Sequence, residues 1–168
     1  MPSRTGIGNR AFPGSRHDHE RCVRAALDRA VDVCASRSTR LTALRRHVLE
    51  IVWQSHRPLG AYAILERLRA RGRRAAPPTV YRALEFLLAQ GLVHRVESLN
   101  AFVGCARPGH GDEGQFLLCT TCGAAAELHD SRVEESVLRS AQSRGFLPRR
   151  QTIEVRGLCP DCRRKSGT

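Results

Sequence analysis

Two Cys-x-x-Cys pairs constrain this chain more than any other feature. Cys119-Thr120-Thr121-Cys122 and Cys159-Pro160-Asp161-Cys162 are separated by residues 123–158. Four thiolates presented in pairs at tight turns match a tetrahedral zinc site, with Zn–S bonds of about 2.3 Å. The fold must therefore bring together two knuckles that are distant in sequence. The competing chemistry is a thioredoxin-like redox pair. It needs one Cys-x-x-Cys at a helix start in a βαβ setting, whereas both pairs here are expected in turns at strand ends.

The sequence around and between the pairs reads as a small β-β-α-β unit. Residues 116–118 and 124–128 form short strands. Ser131-Arg132-Val133-Glu134 fits a capping box that opens a helix. Val133, Val137, Leu138 and Ala141 supply its expected buried stripe. Gly145 ends it, and residues 152–158 are β-rich. A unit of about 50 residues is small for independent stability, so a metal, a partner chain or both should support it.

Charge divides the chain in a different way. The 168 residues carry a net charge of +12. Residues 1–103 hold 18 basic and 8 acidic side chains, and residues 104–168 hold 10 and 8. The N-terminal part thus carries most of the excess, which fits a polyanionic partner. All basic residues except Lys165 are Arg, a side chain able to make bidentate contacts with phosphate and guanine. Aromatic residues are only 5%, too few for a large stacking platform for single strands. The first residues contain no apolar signal-peptide core, and no run approaches a membrane span. A cytoplasmic protein is expected, in which paired cysteines bind metal more often than they form disulfides.

The basic half has a recognisable plan. Residues 1–18 read as a mobile tail, in which His17-Asp18-His19 is better taken as solvated than as a metal site. Residues 19–36 form a helix with Val23, Leu27, Ala30 and Val31 as its apolar stripe, and Cys22 and Cys34 as small packing residues. Thr42 caps a second helix carrying Leu44, Val48, Ile51 and Val52. A third presents Ala61, Ile64, Leu65 and Leu68, and ends in Arg71-Gly72-Arg73-Arg74. Pro77-Pro78 opens a fourth, whose inward face is Val80, Ala83, Leu84, Leu87 and Leu88. Thr79 and Arg82 project from the other side, with Tyr81 on the flank. Gly91 ends this helix, and residues 92–97 and 101–105 read as a hairpin. Three helices and a hairpin are the plan of a winged helix-turn-helix, whose last helix enters a major groove. The fold class is therefore α+β, with a winged-helix domain followed by the small four-cysteine domain.

Four further residues have metal-ligand chemistry where the two halves join: His94, Cys105, His110 and Glu127. Singly, each has a plain alternative. His94 can be a surface strand residue, Cys105 a buried hydrophobe, and His110 and Glu127 solvated. Together they make a donor set that suits zinc. Catalysis is disfavoured. A zinc deaminase needs H-x-E and then P-C-x-x-C, but His110-Gly111-Asp112 lacks the Glu and Leu118 precedes Cys119. No hydrolase nucleophile elbow occurs either.

The stretch PPTVYRALEFLLAQGLVHRVESLNAFVGC, followed by FLLCTTCG and CPDC, closely resembles the ferric uptake regulator family, and within it the zinc uptake regulator branch. The resemblance spans roughly residues 20–163. It implies a dimeric transcriptional repressor that is not an enzyme and that binds operator DNA of zinc-uptake genes when zinc is loaded. It implies two zinc ions per subunit. Cys119, Cys122, Cys159 and Cys162 match the structural site, and His94, Cys105, His110 and Glu127 match the regulatory one. Tyr81 and Arg82 match residues of the recognition helix that face bases, with Thr79 beside them. Ala43 stands where relatives often have Pro. Some relatives place the third hinge ligand at the position of Asp112, so that residue is the alternative to His110. Iron-, manganese- or peroxide-responsive regulation is the runner-up, which the Cys105 thiolate disfavours. The expected division is a tail at 1–18, a winged-helix domain at 19–103, a hinge at 104–114 and a dimerisation domain at 115–168. Neither a membrane nor a small-molecule substrate is expected.

Overall fold

The computed structural model describes Phe12, residues 18–108 and residues 114–167. Helix α1 (His19–Ser36) begins where the Asp18 carboxylate accepts the N–H of Arg21. Its buried side is Ala26, Leu27, Ala30 and Cys34, while Val31 is 46% exposed. Val23, Leu27 and Ala30 of the expected stripe thus face the core and Val31 does not, while Ala26 and Cys34 extend the buried side. Helix α2 (Ala43–Trp53) is capped by Thr42, as expected. Helices α3 (Ala61–Ala70) and α4 (Pro77–Ala89) follow. Gly91, at φ +63°, turns the chain out of α4, a left-handed geometry that costs glycine little.

Strands β1 (Val93–Val96) and β2 (Ala101–Gly104) form the antiparallel wing. A 3₁₀ turn, Glu97–Leu99, and Asn100 at φ +46° connect them. Leu59, just ahead of α3, exchanges backbone hydrogen bonds with Phe102 on β2, so the wing is tied into the helical unit. One core unites these elements: Val48, Ile51 and Val52 of α2, Ile64 and Leu68 of α3, Val80, Leu84 and Leu87 of α4, and Val93 of β1. All of these are essentially inaccessible to solvent.

The second unit is a sheet in the order β4-β3-β5. β3 (Gly114–Cys119) pairs antiparallel with β4 (Ala125–Leu128) and parallel with β5 (Thr152–Gly157). Helix α5 (Ser131–Gln142) makes the crossover, and a short helix, α6 (Pro160–Lys165), follows β5. Three expectations change here. The α5 cap is Asp130, whose carboxylate accepts the N–H of Arg132, so Ser131 does not form the capping box. The expected buried stripe of α5 is not buried: Val137 is 44% and Leu138 37% exposed, and the helix has no buried residue. Among the described residues nothing buries that face. Finally, the second cysteine pair opens α6 and does not lie in a plain strand-end turn; Cys159 is the N-cap residue and Cys162 lies in the helix.

The units meet at the wing. Val96 of β1 packs on Phe116 and Leu118 of β3, joined by Val103 and Ala125. The N–H of Ala125 donates to the His56 carbonyl oxygen at 2.9 Å. The Arg57 side chain lies against Gly123 in the β3–β4 turn.

Candidate metal centres and nucleic-acid interface

The sulfur atoms of Cys119, Cys122, Cys159 and Cys162 all lie within 4.8 Å of one another. The parallel β3–β5 pairing explains the meeting: it runs to Cys119↔Gly157, which leaves both knuckles at the same end of the sheet. Cys119 also donates its N–H to the Ala124 oxygen, closing the β3–β4 turn around Gly123 at φ +73°. Backbone N–H groups point at the sulfurs. Cys159 donates to Cys119 Sγ at 3.3 Å and Cys162 donates to Cys159 Sγ at 3.4 Å. The N–H groups of Cys122 and Cys159 bring the Cys119 thiol down to about 6. The Cys159 sulfur, with burial adding to it, pushes Cys162 up to about 12. Such N–H to sulfur bonds favour thiolate, the form that binds metal. The helix start at Cys159 supplies one feature of a redox pair. Four mutually adjacent sulfurs, none in a disulfide, instead make the donor set of a closed tetrahedral zinc site. Phe12 and Ala124 pack against this cluster.

The second cluster lies at the junction of the units. His94, Cys105 and Glu127 bring one ligand atom each to within 4.8 Å of the others. His94 comes from β1, Cys105 from just beyond β2, and Glu127 from β4. Cys105 is 1% and His94 6% exposed. The N–H of Cys105 donates to the Leu92 oxygen, which holds its side chain beside β1. Gly104 is required just before it, because a Cβ there would sit 2.3 Å from the Trp53 ring. His94 Nε2 approaches Glu127 Oε1 to 3.0 Å. That approach is not aligned as a hydrogen bond, so Nε2 is a buried polar atom with none. An unbonded imidazole nitrogen facing a thiol and a carboxylate is the arrangement that a metal ion completes. Burial opposes the charged form of His94. The adjacent Cys105 sulfur and Glu127 carboxylate outweigh it and raise the group to about 10. For Glu127, burial raises the carboxyl, but His94 dominates and the net shift is downward. Glu127 Oε2 accepts the N–H of Ala106 at 3.1 Å.

His110 and Asp112, the two choices for a further hinge ligand, lie outside the described residues. His129, not singled out above, also stands beside this cluster. Its Nε2 is 3.3 Å from Glu127 Oε1, with the side chain 34% exposed. The available signal was its i, i+2 relation to Glu127 at the end of a strand, which puts both side chains on one face.

Thr79, Tyr81 and Arg82 are all exposed on the first half of α4, opposite the buried Val80, Ala83 and Leu84. Tyr81 is 42% exposed and so is not part of the core. An open groove of ≈ 700 Å³ runs beside this face, lined by Arg69, Arg73, Arg74 and Thr79 among others. The basic turn is not uniformly free. Arg71 pairs with Glu50 at 3.1 Å and donates to Gln54 at 2.6 Å, which turns it toward α2. Arg73 reaches His47 Nε2 at 3.0 Å.

The fold and its two clusters define a winged-helix protein joined to a four-cysteine module, with metal-ligand side chains contributed across the junction. The chain belongs to the ferric uptake regulator family, whose sequence pattern matches residues 36–156. It is 41% identical over 139 residues to the zinc uptake regulation protein of Escherichia coli (strain K12), covering 81% of this chain and 80% of that protein. A zinc uptake regulator complexed with zinc and DNA superimposes with a TM-score of 0.79 at 38% identity, covering 87% of this chain and 98% of that one. The holo form of XcZur gives 0.73 at 42% identity, covering 83% and 95%. The apo form of XcZur gives 0.51 at 40% identity, covering 84% and 98%.

Proposed function

We propose that this protein is a zinc-responsive, DNA-binding transcriptional repressor that acts as a homodimer on operators of zinc-uptake genes. The carrying observation is that the ligand groups of the hinge cluster come from both sides of the junction. In this reading residues 19–103 bind DNA, 104–114 form the hinge, and 115–168 dimerise and hold the structural zinc. Cys119, Cys122, Cys159 and Cys162 would hold one zinc ion. His94, Cys105 and Glu127 would hold the second, with His110 as the fourth ligand and Asp112 as its substitute. Bound at the hinge, zinc supplies a tie of fixed geometry between wing and sheet. The thiolate of Cys105 favours zinc over an iron, manganese or peroxide response.

The protein groups then act as follows. Packing of Val96 on Phe116 holds the wing against β3. That fixes where α4 points relative to α5, whose exposed Val137 and Leu138 suit a partner copy. In a homodimer the spacing of the two α4 helices must match half-sites about 34–36 Å apart. Arg82 is positioned for bidentate guanine contact, Tyr81 for a thymine methyl or a phosphate, and Arg73, Arg74 and Thr79 for backbone phosphates. The role is regulatory, not enzymatic. A cytoplasmic location fits the reading; no helix among the described residues is long and apolar enough to cross a membrane.

Zinc titration into protein already loaded at the four thiols tests this. A second equivalent should bind, and operator binding should rise with it. Absence of that equivalent, or operator binding indifferent to zinc, rejects the reading.

A further inference from the structure

Glu127, Phe116 and Glu154 form one row across the second sheet, because Phe116 pairs with Glu127 on one side and Glu154 on the other. Paired residues direct their side chains to the same face, so two carboxylates flank the Phe116 ring. The wing lies along this row. His94 meets Glu127 and Val96 packs on Phe116. At the far end the wing tip meets Glu154. The N–H of Glu97 donates to Glu154 Oε1 at 2.7 Å, and the N–H of Ser98 donates to Oε1 and Oε2, each at 3.3 Å.

Those two N–H groups open the 3₁₀ turn, where a helical turn lacks internal partners. No side chain of the neighbouring residues caps it. A carboxylate from the other unit does so, through charge-assisted bonds that are stronger than neutral ones. Glu97's own carboxylate is balanced by Arg95 at 3.3 Å and Arg150 at 3.5 Å, which limits its repulsion of Glu154.

We infer that Glu154 is a positioning residue. It pins the wing tip to the second sheet at the opposite end of the row from Glu127, and so favours the orientation that the hinge metal also favours. The inference rests on the zinc-responsive reading above. Two ties acting on one orientational equilibrium reinforce each other. Loosening the Glu154 tie lowers the population of the competent orientation, and apparent hinge-zinc affinity falls by the same factor. Excess zinc then restores what the lost tie removed.

The test uses full-length protein with the four-thiolate zinc retained and zinc as the probe. In wild type the Glu97 and Ser98 amides should be protected from hydrogen exchange; in Glu154→Ala they should exchange at least about tenfold faster. Operator affinity at limiting zinc should fall about tenfold, as expected for losing bonds to a charged group. Saturating zinc should return it to within about twofold of wild type. Glu154→Gln keeps the shape with a neutral acceptor, should fall between the two, and serves if Glu154→Ala does not fold. Unchanged exchange at both amides overturns the inference, as does a loss of operator affinity that no zinc concentration repairs. If wild type itself ignores zinc, the functional reading fails, and the two amide exchange rates still decide whether the tie exists.

Discussion

All four thiols of the first cluster belong to one unit: Cys119 and Cys122 flank the β3–β4 turn, and Cys159 and Cys162 open α6. The three ligand groups of the second belong to two units, His94 and Cys105 to the wing and Glu127 to the sheet. The donor chemistry differs in parallel. Four soft thiolates make a closed site that suits a permanent zinc. A mixed set containing a histidine held protonated to about 10 in metal-free protein binds metal only by losing protons. A metal in the first cluster can staple one unit; a metal in the second constrains two units relative to each other. On the proposed reading that is the physical separation between a structural site and a sensing site, and each of the following experiments can break it.

The largest effect is expected at the first cluster. Structural zinc in small domains contributes about 10–16 kcal/mol of apparent binding free energy. Cys119→Ser or Cys159→Ser should therefore unfold the second unit and abolish dimerisation, as measured by zinc content, circular dichroism and sedimentation. A folded dimer that has lost this zinc would erase the contrast. Cys105→Ser should be milder and more specific. The protein should remain folded and dimeric with one zinc per subunit, while operator binding loses a zinc response of about 5–150-fold. Normal zinc-dependent binding by this variant would make Cys105 a packing residue only.

A pH series sharpens the comparison from the side of the hinge. His94 is raised from 6.5 to about 10. Its contribution to metal-free stability is therefore complete below 6.5 and is lost as pH rises toward 10. Glu127 is lowered from 4.5, so its contribution is complete above 4.5 and is lost at lower pH. The melting temperature of protein lacking hinge zinc should fall between pH 6.5 and 10, and hinge-zinc loading should remove that slope. Zinc binding at pH 7 should release protons, one of them from His94, and tighten with rising pH. Calorimetry in buffers of different ionisation enthalpy reads the count. The most local effect is expected away from both clusters, at one base pair. Arg82→Ala should leave zinc stoichiometry and stability unchanged, cost about 1–3 kcal/mol of operator binding and relax specificity at one base pair. Binding uniformly weaker across sequences would make Arg82 a phosphate contact.

Elements with a strong local pattern were readable in the chain. The Thr42 cap, the Pro77-Pro78 helix start, the Gly91 stop and the inward set Val80, Ala83, Leu84 and Leu87 follow from rules acting over one or two turns. The four cysteines were readable because their spacing has few other uses. Readings that depended on partners distant in sequence fared less well. Asp130 displaced Ser131 as the α5 cap because its carboxylate is the one that reaches the free N–H. Helix α6 was missed because six residues carry too little periodicity to register. The stripe of α5 has the helical spacing of a core face, yet it meets solvent in a single copy.

The sequence alone points to the family, the winged-helix plan, the four paired cysteines and the choice of His94, Cys105, His110 and Glu127 as candidates. These follow from residue type and spacing, which are local or combinatorial signals. Glu154 was invisible at that level, since a glutamate on a β-strand has no spacing rule linking it to Glu97 and Ser98. Its role exists only because β5 pairs in parallel with β3 and puts residue 154 level with residue 116. Strand register couples residues far apart in the chain, and no one-dimensional pattern records that coupling.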